Sequence, residues 1–435
     1  MLRERGAAPP PVNPARRTQI EARIRRRRLR RTALAGGAAV AAVALGAAFL
    51  PGTAPDRAVA AEPGPSLHTA KREFTLRVRV EGGHPNRPVR WSAGLYADQE
   101  SFPASGVTAE VTRYSILDRS LVRAGQDPAR ALGETVRFAR QAEQLGYHRF
   151  WVSEHHSVPG VAGSAPTVLA AAVAAATSRI RVGTGGVMLP NHRPLVVAEQ
   201  FGVLESLYPG RVDMGLGRSV GFTGGIRKAL GHGLADAGDF GDRLEELLGY
   251  FTGKQQVHPG VHALPAEGLR PEVFVLAMGS GADLAAEHGL PMVIGDSPGM
   301  AEAAARYRAA FRPSEWAAAP YVMVAANVAV GESAAAAAYL QVPEAWSTAV
   351  SRTRGAFPPL SPAAEILAME MTERERDLLA EARAGQIHGA PGEVALALEE
   401  LVERSGAEEV LVTMNTFDLE ERLDSYRRLA RLTRG

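Results

Sequence analysis

The segment Asp127-Pro-Ala-Arg-Ala-Leu-Gly-Glu-Thr-Val-Arg-Phe-Ala-Arg-Gln-Ala-Glu-Gln-Leu-Gly-Tyr-His-Arg-Phe-Trp-Val152 passes from a helical period to a strand within one short stretch. Asp127 is a capping residue and Pro128 suits a first helical turn. Leu132, Val136, Ala139, Ala142 and Leu145 then recur at helical spacing until Gly146 ends the run. Phe150-Trp151-Val152 is apolar but far too short for a helix, so it reads as a buried strand whose edge that helix covers. A helix leading into a buried strand is half of a βα repeat.

Working outward, the same alternation recurs from Thr112 onward. Further strands centre on Ser115-Ile116-Leu117, Ile180-Arg181-Val182, Val212-Asp213-Met214, Val273-Phe274-Val275, Met292-Val293-Ile294, Tyr321-Val322-Met323 and Val410-Leu411-Val412. Phe240 to Phe251 and Pro391 to Arg404 repeat the amphipathic pattern between them. Eight alternations in about 320 residues predict an α/β fold, a (β/α)8 TIM-type barrel over residues 112–435, with a doubly wound open sheet as the alternative. Residues 331–390 interrupt the rhythm with an Ala tract, Trp346, Pro358, Pro359 and a charged helix from Thr372 to Arg383. This is a long insertion before the last strand, placed where barrel enzymes often carry lids.

Ahead of the barrel the chain changes character. Met1 to Arg31 holds 11 Arg against Glu4 and Glu21, so this basic tail carries +9 of a formal total of +2 and the rest of the chain is net acidic. An acidic globular part argues against nucleic-acid binding, which draws its affinity from neutralised phosphates. Ala33 to Leu50 is uncharged and follows a run of arginines, so residues 32–51 read as a transmembrane or signal helix, with Ala58-Val59-Ala60 as an alternative cleavage site. Residues 52–111 read as a linker or appendage with one strand-like run, Phe74 to Val80. The absence of Cys removes disulfides, thiolate nucleophiles and Cys-ligated metals.

Barrel chemistry belongs at the C-terminal ends of the strands. After the second predicted strand stands Glu154-His155-His156, where imidazoles can polarise a substrate or move protons. Adjacent histidines point apart and no third ligand is spaced to join them, so no metal site is expected. After the third comes Gly183-Thr184-Gly185-Gly186-Val-Met-Leu-Pro-Asn191-His192, whose small residues let a planar ligand approach the backbone, unless it is a plain glycine turn. After the fourth, Gly215-Leu-Gly217-Arg218-Ser219-Val220-Gly221 offers a guanidinium and backbone N–H groups to a phosphate. That run also fits the G-x-S-x-G elbow of a Ser hydrolase, with Ser219 as nucleophile and a late His such as His388.

Four segments in order resemble one family: Trp151-Val-Ser-Glu-His-His156, Val182-Gly-Thr-Gly-Gly-Val-Met-Leu-Pro190, Pro194-Leu-Val-Val-Ala-Glu-Gln200 and Pro209-Gly-Arg-Val-Asp-Met-Gly-Leu-Gly-Arg218. The chain resembles the bacterial-luciferase-like flavin monooxygenases from about Tyr114 to Leu432, most densely from Gly146 to Gly221. The resemblance implies a reduced-FMN site at the barrel mouth, flavin delivered by a separate reductase, and oxidation of a small organic substrate by oxygen. In that picture His155 is the active-site histidine, Gly185-Gly186 fall where the family has a non-proline cis peptide beneath the flavin ring, and Arg218 meets the phosphate.

The candidate cofactor-binding set is Glu154, Thr184, Gly185, Gly186, Arg218, Ser219, Val220, Gly279 and Ser280. The last two lie in Met278-Gly279-Ser280-Gly281-Ala282-Asp283, which is about three residues shorter than the Gly-Ser-Ser run of many relatives. The rivals are a deazaflavin-dependent oxidoreductase of the same fold, a non-catalytic flavin-binding protein, and the Ser hydrolase. A homodimer is the expected assembly, with a cytoplasmic barrel by resemblance and membrane anchoring through residues 33–50 if that segment acts as an anchor.

Overall fold

The computed structural model describes residues 112–221, 223–277 and 281–432. The basic tail, the apolar segment expected to be an anchor, the linker, and Gly279 and Ser280 lie outside the described residues. No helix among the described residues is long and apolar enough to cross a membrane.

Each expected strand is present: β1 (Arg113–Asp118), β2 (Arg149–Val152), β3 (Arg181–Thr184), β5 (Val212–Gly217), β6 (Glu272–Ala277), β7 (Met292–Gly295), β8 (Val322–Ala326) and β11 (Glu409–Val412). They pair in parallel around a ring, β1–β2–β3–β5–β6–β7–β8–β11 and back to β1. The closed barrel, not the open sheet, is therefore the fold. Three short strands are additional. β4 (Val187–Met188) pairs beside the end of β5, while β9 (Val328–Val330) and β10 (Ile387–Gly389) form a separate two-stranded sheet.

Helix Pro128–Gln144 shows how local chemistry sets an element. The Asp127 side chain accepts from Ala129 N–H at 2.8 Å, Pro128 occupies the first turn, and Gly146 takes the left-handed conformation at φ 74° just beyond the end. Its deepest residues are Ala131, Thr135, Phe138, Ala139 and Ala142, with Leu132, Val136 and Leu145 only partly buried. The buried stripe is thus rotated slightly from the one the spacing predicts, because Phe138 packs edge-on against Phe150 and Tyr426.

Alternate strand residues face opposite ways, and the two faces build two cores. Ile116, Phe150, Val152, Val182, Met214, Val275 and Val324 pack outward against the helices. Leu117, Trp151, Phe274, Val293, Met323 and Leu411 fill the barrel interior. The N-terminal end of the barrel is closed by charge. Arg149 bonds Asp213 at 2.8 Å, Glu272 at 2.9 Å and Glu409 at 3.1 Å, while Trp151 Nε1 donates to Asp213 at 2.8 Å and Tyr321 OH to Glu409 at 2.6 Å. Burial alone lowers the Arg149 pKa, but its three carboxylates outweigh that and raise it above the usual guanidinium value.

The insertion between β9 and β10 forms a wall of the barrel mouth. Helices Val342–Arg354, Ala363–Ala368 and Glu373–Ala384 share a small core around Trp346, Val350, Ile366 and Leu379. Backbone bonds tie the segment after the first of these helices to the loops following β1 and β2: Gly160 N–H to Phe357 O, Leu360 N–H to Val122 O, and Ala124 N–H to Leu360 O. Gly160 is required there, since a Cβ would stand 2.2 Å from Pro358 O.

Candidate active site at the C-terminal end of the barrel

Glu154 is the organising residue of the mouth. It leaves β2 almost fully buried, and its Oε1 meets His156 Nε2 at 2.7 Å and His192 Nε2 at 2.9 Å while its Oε2 accepts from Met188 N–H at 2.7 Å. Burial pushes the carboxyl pKa up, but these hydrogen bonds outweigh burial and hold it at about 2. The charged carboxylate therefore clamps β4 and the following turn to the β2 loop. β4 in turn pairs Met188 with Gly217, the residue before Arg218. Loops after β2, β3 and β5 are joined through this chain of contacts.

His155 lies at the centre of that junction. Its N–H donates to Gly163 O at 2.9 Å, and its Nδ1 meets Ser153 Oγ at 3.1 Å. Burial, followed by the Arg119 cation, lowers its pKa to about 4, so the imidazole is neutral near pH 7. The residues on either side of this region bend sharply, with Ser120 at φ 54° and Ser157 at φ 53°, a region that non-glycine residues seldom occupy.

The Gly185-Gly186 peptide is cis. Gly185 turns its hydrogen-only side inward, where a Cβ would stand 2.7 Å from Leu117 Cδ1, and at Gly186 a Cβ would stand 2.7 Å from Gly215 O. Thr184 is fully buried, and its hydroxyl both donates to Gly215 O at 2.8 Å and accepts from Gly215 N–H at 3.1 Å. The hydroxyl thus secures β3 to β5. At Gly217, by contrast, a Cβ would meet nothing nearer than Val187 O at 3.9 Å, so the backbone before Arg218 is open to an approaching group. Arg218 is half-buried and Val220 buried, and Ser219 Oγ accepts from Gly221 N–H at 3.4 Å. Ser219 and His388 belong to different structures: His388 is exposed on β10, where its Nδ1 meets Gln386 O at 3.1 Å.

Three residues that sequence reasoning missed complete the mouth. Arg119, just after β1, forms an ion pair with Glu344 of the insertion helix Val342–Arg354. Both line a narrow pocket with His155, Leu121, Val161 and Phe357. His192 is the third, placed by Glu154 and by its own carbonyl, which accepts from Arg243 at 2.8 Å. Only the histidine carried a signal in the sequence, as the polar end of a glycine-rich loop. Among the described residues no group of three or more His, Asp or Glu is arranged to hold a metal ion.

Residues 112–427 match the family model described as "Luciferase-like monooxygenase". A luciferase-like monooxygenase of Escherichia coli (strain K12) is 34% identical over 329 residues, which is 74% of this chain and 96% of that protein. The crystal structure of apo-MsnO8 is 32% identical with a TM-score of 0.68, covering 74% of this chain and 98% of its own. Two more distant structures share the fold. One is the oxygenating constituent of 3,6-diketocamphane monooxygenase from Pseudomonas putida in complex with FMN, at 17% identity and TM-score 0.57, covering 74% of this chain and 97% of its own. The other is an F420-dependent secondary alcohol dehydrogenase in complex with an F420-acetone adduct, at 16% identity and TM-score 0.55, covering 74% and 99%.

Proposed function

Because this chain belongs to the luciferase-like monooxygenase family, we propose that it is a flavin-dependent monooxygenase that uses reduced FMN and oxygen to oxidise a small organic substrate at the barrel mouth. The observation that carries the reading is the Glu154 junction, which ties the β2 loop to β4 and, through the pairing of Met188 with Gly217, to the strand end before Arg218. These residues fit the cofactor. The backbone at Gly217 is open beside a half-buried guanidinium, which suits a phosphate.

In this reading reduced FMN, brought by a separate reductase, supplies the electrons that activate oxygen. Arg218 holds the phosphate with the backbone of Ser219 and Val220. Gly185 and Gly186 offer a side-chain-free turn to the ring system. Thr184 and Glu154 act by position, since their polar side-chain atoms are engaged within the protein. His155, neutral and in contact with Ser153 Oγ through Nδ1, is the group assigned to move a proton. The insertion supplies Glu344, Ser347, Thr348 and Phe357 to that side of the pocket.

The test is a titration of the purified chain with FMN, reduced FMN and reduced deazaflavin, followed by oxygen-electrode measurements with a flavin reductase present. Tightest binding of reduced FMN and substrate-dependent oxygen uptake are expected. Tight binding of the reduced deazaflavin alone, with hydride transfer and no oxygen uptake, would replace the monooxygenase with the deazaflavin branch of the fold.

A further inference from the structure

The N-terminal end of the barrel carries an apolar display beside its ionic plug. Loop 253–271 joins the helix Phe240–Thr252 to β6, so it lies at the end where the chain enters β1 at Arg113. Its stretch Gln255-Gln-Val-His-Pro-Gly-Val-His-Ala-Leu-Pro-Ala266 holds no Lys, Arg, Asp or Glu. Within it Val257 is 58%, Val261 38% and Leu264 79% exposed, and Leu207, which ends the helix Pro194–Leu207 at the same end of the barrel, is 64% exposed. Aliphatic side chains gathered in this way at one end of a fold mark a surface that meets something.

The loop is held in one shape. Gln255 Nε2 donates to His258 O at 2.7 Å and to Val261 O at 2.9 Å, and its Oε1 accepts from His258 N–H at 2.9 Å. Ala263 and Ala266 are fully buried, and the Ala266 N–H closes a turn on Ala263 O at 2.8 Å. The backbone at Ala266 lies so near the helix Pro194–Leu207 that a Cβ at Gly202 would stand 2.6 Å from its nitrogen. These contacts seat the loop on the barrel and leave its large apolar side chains outward. At its base Lys254 and Arg270 both pair with Glu315, at 3.1 Å each, so the loop offers a partner apolar contact rather than spare charge.

The rest of the chain indicates the partner. Residues 33–50 are uncharged and follow a run of arginines, the order of a membrane anchor with its basic flank at the headgroups. Such an anchor brings a bilayer within the reach of residues 51–111, and the chain then enters the barrel at the end that shows Val257, Val261 and Leu264. We propose that loop 253–271 docks the barrel on the lipid surface: with residues 33–50 anchored, Val257, Val261 and Leu264 enter the interface and the barrel mouth, with His155 and Arg218, faces the aqueous side. The proposal goes beyond the monooxygenase reading and does not depend on it.

The chain has no Cys, so Leu264→Cys supplies a single thiol for an environment-sensitive dye, and Leu396→Cys, at a position 69% exposed on the helix Pro391–Ser405, supplies the reference on the barrel flank. The labelled full-length chains are reconstituted without flavin into vesicles of phosphatidylcholine with a minor fraction of phosphatidylglycerol. Each is quenched in turn by nitroxide-bearing lipid and by aqueous iodide. Lipid-borne quenching at position 264 is expected to exceed that at 396 at least about threefold, with the order reversed for iodide. Adding Val257→Asp and Val261→Asp beside the label should cut its lipid quenching by at least about half, and thermal melts establish that these exposed substitutions leave the chain folded. Equal lipid quenching at the two positions, failure of the full chain to associate with vesicles, or no effect of the aspartates in a folded chain would overturn the proposal. Shielding from iodide without lipid quenching would overturn it as well, because the cover would then be protein: a second copy if the shielding is lost on dilution, and a segment of residues 52–111 if it persists.

Discussion

At the N-terminal end of the barrel one arginine, Arg149, meets three carboxylates and lies over the Phe274 ring at 4.9 Å, with Trp151 and Tyr321 donating to two of the same acids. At the C-terminal end Arg119 has one carboxylate and an unspent Nε–H, Arg218 stands half-buried beside open backbone, and His155 is held neutral. Both ends use buried charge. At one end a single guanidinium joins carboxylates of three other strands, whereas at the other the pair Arg119 and Glu344 lines a pocket. The comparison teaches that the two ends differ in what their charges meet: carboxylates of neighbouring strands at the N-terminal end, and residues of the loops and the insertion at the C-terminal end.

The largest effect should come from the N-terminal end. Arg149→Met leaves the fully buried Glu409 without its cation and Asp213 with Arg181 alone, and removing one partner of such a group costs about 3 to 5 kcal/mol. Urea unfolding should show that loss. A cost no larger than that of a surface substitution would dissolve the distinction between the two ends.

The second effect is a pH dependence at the functional end. The folded His155 pKa, about 4, lies below the ordinary imidazole value of 6.5, so folding favours the neutral ring. Its contribution is complete above about 6.5 and is lost as pH falls from there toward 4, because the unfolded chain takes up the proton first. The shift corresponds to at most about 3 kcal/mol. Unfolding curves of wild type and His155→Asn, recorded across that range, should converge as the solution is acidified. Parallel curves would mean that His155 is not held neutral by its surroundings.

On activity, His155→Ala should slow the oxidation step by about 10² while flavin still binds, the size expected for a positioned proton donor. Single-turnover kinetics with reduced FMN measure it directly, and an undiminished rate would return His155 to a purely structural role.

Legibility from sequence followed the same divide. The eight barrel strands were readable because residues packed on both faces leave apolar runs, such as Phe150-Trp151-Val152 and Val410-Leu411-Val412. β4, β9 and β10 are two or three residues long and leave no period to detect. Glu154, His155, the glycine turn and Arg218 were readable because each follows a recognisable strand end. The ionic plug was not, since Arg149 lies 64 residues from Asp213 and 260 from Glu409, and no local pattern marks such a pair. Arg119 and Glu344 were hidden for the same reason. A charged residue discloses its role only when its partner is known.

The smallest effect concerns the region ahead of the barrel. All eight barrel strands lie after residue 112, so a chain shortened to begin near Thr108 should melt close to the full-length protein and bind flavin equally well. Aggregation or a much lower melting temperature in matched detergent would place part of residues 1–111 within the fold.

The central claim is that the C-terminal end of the barrel, at Arg218, is the flavin end. It is tested most directly by anaerobic titration of reduced FMN into the wild type and Arg218→Ala, with melting temperatures of both. The account predicts that affinity falls by about 1.5 to 3 kcal/mol, the worth of a hydrogen bond to a charged group, while the melting temperature hardly moves. Unchanged affinity for reduced FMN in the variant would contradict it.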